Sequence, residues 1–177
     1  FMLMSALRRA KELAQSGKEV FTTPALSTFI HESLDRTKFF ADDAILDQFC
    51  ELDDSDITCA LKVWQHHDDA ILSDLSTRIV HRNLFRIELR AEPFSEADIT
   101  QVVAQVAEKF RLSLAEASEL VINDTIENSL YGSDGITIRY KDGRTMDFAE
   151  ASDQLNREIL TRTVSKSFLC YPKEIKR

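Results

Sequence analysis

The sequence predicts an α+β fold: a helical part over residues 1–81, then a small mixed α/β part with an antiparallel sheet over 82–177. Three observations predict it. Apolar residues recur at helical spacing as far as about His81. In Phe85-Arg86-Ile87-Glu88-Leu89-Arg90-Ala91 the period changes to strict alternation of apolar and charged residues, the pattern of a half-buried strand. Asp142-Gly143 then lies between two alternating runs, where it reads as a two-residue hairpin turn.

The elements follow in order. Leu3, Leu7, Ala10 and Leu13/Ala14 form the inward stripe of a first helix, which Gly17 ends. Thr22-Thr23-Pro24 supplies a cap and a first-turn proline for a helix through Leu26, Phe29 and Ile30. Asp42 and Asp43 precede a short apolar set, Ile45, Leu46 and Phe49. Asp53-Asp54-Ser55-Asp56 puts carboxylates where a helix N-terminus favours them, and Ile57, Leu61 and Trp64 share one side of the helix beyond. Asp68-Asp69 starts another, with Leu72, Leu75 and Ile79 inward. After the strand and Pro93, Ser95-Glu96-Ala97-Asp98 caps a helix with Ile99, Val102, Val103, Val106, Ala107 and Phe110 on its apolar face. Ser113-Leu114-Ala115-Glu116 fits a capping box. Leu120–Ile126 reads as a strand, Ile136–Lys141 and Arg144–Phe148 as the hairpin arms, and 149–160 as a helix. Phe168–Tyr171 reads as a last strand and Lys173–Arg177 as a loose tail.

Composition bounds the function. With 44% hydrophobic and 29% charged residues the 177-residue chain has the balance of a globular protein. A formal charge of −8 repels a phosphate backbone and argues against general nucleic-acid binding, while leaving room for a local basic pocket. No apolar run approaches the roughly 20 residues of a membrane span, so no membrane partner is expected. Cys50, Cys59 and Cys170 lack metal or redox spacing and read as reduced, packed thiols of a cytoplasmic protein. Phe1-Met2-Leu3-Met4 opens inside a helical pattern with no cap, which predicts further chain upstream.

Few motifs carry chemistry. His66-His67-Asp68-Asp69, with His31 upstream, is the arrangement that could hold a divalent metal and activate water. The pair falls at a junction between two predicted helices, where aspartate is ordinary capping chemistry, and that reading is preferred. The acidic run Glu51–Asp56 lacks the glycine and downstream glutamate of a calcium loop. No nucleophile elbow or phosphate-cradling glycine loop is present, so no catalytic residue is assigned to this segment. The remaining cluster is Arg78, His81, Arg82, Arg86 and Arg90, with Arg86 and Arg90 on one face of the predicted strand. Two explanations stand open: ion pairs to neighbours such as Glu88, or contact with phosphate or nucleotide.

At this junction the sequence resembles a known family. Leu52-Asp53-Asp54-Ser55-Asp56-Ile57, then Leu61, Trp64 and Leu72, and Arg82-Asn83-Leu84-Phe85-Arg86 resemble the C-terminal region of bacterial HD-superfamily phosphohydrolases of the deoxynucleoside triphosphate triphosphohydrolase type. Lys141-Asp142-Gly143, Ala149-Glu150-Ala151-Ser152-Asp153 and Phe168-Leu169-Cys170-Tyr171-Pro172-Lys173 extend the likeness over nearly the whole chain. The resemblance implies a parent enzyme whose divalent metal sits in an HD domain upstream of Phe1, and no cofactor in this segment. It implies packing on that HD domain and a homo-oligomer. A mammalian branch of the family has an Arg-Asn-Leu-Phe-Lys stretch bordering a regulatory nucleotide site. By that match, Arg82, Leu84 and Arg86 are the expected contacts to a nucleotide effector, with Arg86 standing for the lysine. The alternative is a non-catalytic protein–protein interaction module; a third reading is a free-standing metal hydrolase on His31, His67 and Asp68.

Overall fold

The computed structural model describes residues 1–129, 136–151 and 163–176. The fold is α+β, with six helices preceding the first strand. The chain divides into two compact units, one of Phe1–Arg86, Thr100–Ile122 and Cys170–Arg177, the other of Ile87–Ile99 and Asn123–Leu169.

The first unit is built on α1 (Met2–Gln15), α2 (Pro24–His31), α3 (Arg36–Ala41), α4 (Asp43–Glu51), α5 (Asp54–Trp64) and α6 (Ala70–Val80). Helix α1 packs against α2 and α6, and α5 packs along α6. The buried stripe of α1 is Met2, Ala6, Ala10 and Leu13, whereas Leu3 is exposed. The expected stripe is thus turned by one position at its start, because the two small alanines let α1 lie close on its neighbours. At its end Gly17 adopts φ +81°, the left-handed conformation open to glycine, and the Lys18 N–H reaches back to the Leu13 carbonyl at 3.0 Å.

Two helix starts depart from expectation. Thr23 sits at the N-cap of α2 with Pro24 in the first turn, but its hydroxyl makes no capping bond. Helix α3 carries no inward apolar stripe and has no buried residue, so periodicity does not announce it; Asp35 starts it by accepting from the Lys38 N–H at 2.8 Å. The start of α5 is a full capping box: Asp53 accepts from the Ser55 and Asp56 amides, and Asp56 accepts from the Asp53 amide. Trp64, at the other end, is completely buried and donates its indole N–H to the Phe21 carbonyl at 2.9 Å.

The unit also holds most of α7 (Glu96–Phe110) and α8 (Leu114–Ser118), whose Ser113–Glu116 capping box forms as expected. Residues 173–176 are no loose tail. Ile175 is buried, and the Glu174 carboxylate takes two bonds from Arg78 at 3.0 and 3.2 Å. Asp74 balances the charge of the buried Arg78 guanidinium but leaves N–H donors over, and Glu174 accepts from one of its terminal nitrogens.

In the second unit β1 (Arg86–Arg90), β5 (Thr163–Tyr171) and β2 (Ile122–Ser129) form a sheet in the order β1-β5-β2. β3 (Thr137–Arg139) and β4 (Thr145–Asp147) pair antiparallel, Ile138 opposite Met146. Their loop has three residues rather than the expected two. The Tyr140 N–H bonds to the Arg144 carbonyl, the Gly143 N–H returns to the Tyr140 carbonyl, and Gly143 takes φ +87°. A type I turn closed by a left-handed glycine accommodates the extra residue. Helix α9 (Phe148–Ala151) opens where a helix is expected, and its expected continuation to residue 160 lies outside the described residues. Strand β1 was expected to bury its apolar face; instead Ile87 is 49% and Leu89 56% exposed. Among the described residues the face that carries Ile87 and Leu89 is left open.

Candidate functional site

Helix α6 and the segment after it position the candidate residues. The helix ends in a Schellman motif: the Asn83 N–H bonds to the Arg78 carbonyl at 2.8 Å and the Arg82 N–H to the Ile79 carbonyl at 3.2 Å. The residue at the left-handed position of that motif is Arg82, with φ +56°. Glycine is the usual occupant, and a side chain there costs about 1 kcal/mol or more in backbone strain. The same device ends α7, where Arg111 has φ +55° and the Leu112 N–H reaches the Ala107 carbonyl at 3.0 Å.

The turn sends alternate side chains in opposite directions. Phe85 is buried, its amide 3.3 Å from the Met2 sulfur and its ring 5.6 Å from the Arg78 guanidinium. Arg82, Leu84 and Arg86 are all exposed, Leu84 by 55%. The Phe85 anchor fixes the backbone from which these three project.

The arginines of this region divide by what they touch. Arg78 is 5% exposed and binds Asp74 at 2.7 Å and Glu174 at 3.0 Å, with the Phe85 and Phe110 rings 5.6 and 5.5 Å away. Burial alone would make it easier to deprotonate, but its bonds to the Asp74 and Glu174 carboxylates outweigh that and raise its pKa. In the second unit Arg90 pairs with Glu88 and Asp98, each at 3.7 Å, and lies 4.3 Å from the Phe94 ring centre. For these two the ion-pair explanation holds. Arg82 and Arg86 make no ion pair with any described residue. They are fork-shaped donors facing solvent, suited to a phosphate or carboxylate. The last carbonyls of α6 are taken up by the Schellman amides, which lessens the negative end that would oppose an anion there.

Arg78 was grouped with the open cations in the sequence, and its structural role was missed. Asp74, one helical turn before it, was the signal available.

The metal arrangement dissolves. His67 Nδ1 accepts from the Asp69 amide at 2.9 Å and Nε2 lies 3.0 Å from the Glu19 carbonyl, so both ring nitrogens are engaged. Asp69 caps α6 through the Leu72 amide and holds Arg9 with two bonds at 3.0 and 2.7 Å. Burial pushes the Asp69 carboxyl up, but the Arg9 and Leu72 bonds hold it below the ordinary 3.8. His31 Nδ1 stays with the Ser27 carbonyl in its own helix, 3.0 Å away. His31, His67 and Asp68 do not converge on a shared ion, and no group of three or more metal-binding side chains does so among the described residues. Cys170 is buried, and that burial pushes its thiol up to about 11, far from a nucleophile at neutral pH. No helix among the described residues is long and apolar enough to cross a membrane.

A solved structure matches this chain over most of its length, and a curated protein over about half. A crystal structure of a phosphohydrolase from Bacteroides thetaiotaomicron superposes with a TM-score of 0.79 at 43% identity, over 96% of this chain and 43% of that one. The chain is related to a phosphohydrolase. An uncharacterised protein of Bacillus subtilis strain 168, YwfO, is 32% identical over 85 residues, 48% of this chain and 18% of its own length. The chain therefore spans less than half the length of either relative. No protein-family model matches it.

The strain at Arg82 has a measurable counterpart. Arg82→Gly is expected to raise stability by about 1 kcal/mol, because glycine takes the left-handed conformation freely, while Arg82→Ala keeps the strain and gains little. Urea titrations of the three proteins make the comparison. A glycine variant no more stable than the alanine variant would mean that Arg82 is not strained.

Proposed function

We propose that this chain is the accessory segment of a metal-dependent HD-type phosphohydrolase acting on deoxynucleotides. It packs on the HD domain of the same polypeptide, contributes to a homo-oligomer, and senses a nucleotide effector through Arg82, Leu84 and Arg86. The observation that carries the sensing role is the division among the arginines. Arg78 and Arg90 are spent on carboxylates, whereas Arg82 and Arg86 flank an exposed Leu84 with no ion pair among the described residues. Two guanidiniums beside an apolar side chain match the phosphates and base of a nucleotide. Relation to a phosphohydrolase supports the parent chemistry. No group of three or more metal-binding side chains converges among the described residues, and the proposal places the divalent ion and the catalytic groups in the HD domain. Of the three cysteines expected to be packed, only Cys170 is buried; Cys50 and Cys59 are exposed.

Packing on another domain has its own support. Phe29, Phe39, Phe40 and Phe49 form a chain of edge-to-face contacts at 5.5–6.1 Å across α2, α3 and α4. Phe40 of α3 is 72% exposed, and Leu46 and Phe49 of α4 are exposed too. A patch of that kind marks a surface that another protein surface covers. The same patch favours the second reading, an interaction module without nucleotide sensing.

The two separate on one experiment with the full-length polypeptide. Arg82→Ala and Arg86→Ala should each weaken activation by an added deoxynucleotide about tenfold, with metal content unchanged. Activation curves that do not move would leave the interaction module.

A further inference from the structure

We infer that the cleft between the end of α7 and residues 174–176 binds a phosphate ester with free hydroxyls, of sugar-phosphate size, through Lys109, Arg111 and Lys176. The site goes beyond the sensing role above and uses none of its residues. All of its groups belong to the first unit. The cleft has a volume of about 450 Å³, which is room for a small molecule.

Both walls are anchored. Glu174 is bonded to Arg78 at 3.0 Å and Ile175 is buried, so Lys176 is carried on fixed backbone. The other wall is the last turn of α7, with Gln105, Glu108 and Lys109, followed by Arg111. Lys109, Arg111 and Lys176 make no ion pair with any described residue, and the Glu174 carboxylate beside them is taken by Arg78. Cations gathered on one cleft repel one another, and an anion among them removes that cost. The forked guanidinium of Arg111 suits phosphate in particular.

Two further observations point to a ligand. Arg111 holds φ +55° with its side chain exposed. The turn that ends α7 needs a left-handed residue and gains nothing from a guanidinium, so the strain is kept along with a side chain that lines the cleft. The Gln105 Oε1 is buried with no hydrogen-bond partner among the described residues. Turning that side chain, which already lines the cleft, brings the oxygen to a ligand hydroxyl. The Glu108 carboxylate, exposed and without an ion pair, accepts a second hydroxyl. Cations for a phosphate beside acceptors for hydroxyls are the demands that a phosphorylated sugar meets.

Calorimetry on the full-length polypeptide, with ribose 5-phosphate as the probe and inorganic phosphate as the comparison, tests the site. Wild type should bind the ester more tightly, since only the ester brings the sugar hydroxyls. Arg111→Gly and Lys176→Ala should each weaken ester binding about tenfold. Glycine takes the left-handed conformation freely, so Arg111→Gly should be at least as stable as wild type in urea, which separates lost binding from lost fold. Arg82→Ala should bind the ester as wild type does, whatever becomes of effector activation. No binding of the ester by wild type, or binding unchanged in both Arg111→Gly and Lys176→Ala, would overturn the site. Loss of ester binding in Arg82→Ala alone would place the ligand at the effector stretch and overturn it equally.

Discussion

Trp64→Ala is expected to lower stability by about 4 kcal/mol, the largest single effect anticipated in this chain. Trp64 is the only tryptophan, has no exposed surface, and ties the end of α5 to the segment before α2 through its bond to the Phe21 carbonyl. Truncation removes the ring, leaves a cavity and strands that carbonyl. Trp64→Phe keeps most of the volume and loses only the donor, so it should cost about 1–2 kcal/mol. Urea denaturation followed by far-ultraviolet circular dichroism reads both, since neither variant retains the fluorophore. Equal losses in the two variants would place the cost in the hydrogen bond rather than in packing.

Arg78→Ala is expected to cost about 3 kcal/mol, the lower end of what breaking a buried ion pair does. The lower end applies because Asp74 and Glu174 retain 34% and 33% side-chain exposure and can turn to water once the guanidinium is gone. The cost has a pH signature. Burial pushes the Glu174 carboxyl up, but its backbone bond and Arg78 hold it below the ordinary 4.5. A folded-state pKa below the unfolded one contributes stability that is complete above about 4.5 and is lost as pH falls through the folded value. Wild type should therefore lose stability in acid more steeply than Arg78→Ala, so the gap between the two curves narrows as the pH falls below about 4.5. Parallel curves from neutral pH to acid would mean that Glu174 draws no stability from Arg78. Asp69, held low by Arg9 and the Leu72 amide, has the same sign and persists in both proteins.

What the sequence made legible follows from the range of the forces involved. Local chemistry read well: the Asp53–Asp56 and Ser113–Glu116 capping boxes and the glycine at the end of α1 each depend on residues a few positions apart. The α+β class followed from the change of period after His81. Short elements without an apolar stripe did not read at all, as α3 shows, because a capped turn of six residues leaves little pattern. The hairpin loop misread by one residue, since Asp-Gly serves both a two-residue turn and the end of a three-residue one.

Long-range pairing was the larger gap. Nothing in the sequence joins Arg78 to Glu174, and without that partner the last residues look like a tail. Nor does alternation in Arg86–Arg90 say whether the apolar face is covered, since that depends on what packs on the sheet, and Ile87 and Leu89 are exposed among the described residues. At the candidate site the sequence named Arg82, Leu84 and Arg86 together, and the structure adds what periodicity could not. Phe85 turns inward between them, and Arg82 ends its helix in a conformation that arginine rarely adopts.

The measurement that bears most directly on the central claim is deoxynucleotide hydrolysis by the full-length polypeptide. Purified protein would be incubated with a divalent metal and each deoxynucleoside triphosphate, and both products quantified. The account predicts metal-dependent release of triphosphate and nucleoside in equal amounts, rising with a second nucleotide in wild type and far less in Arg82→Ala. A folded, metal-loaded protein that hydrolyses none of these nucleotides would contradict it.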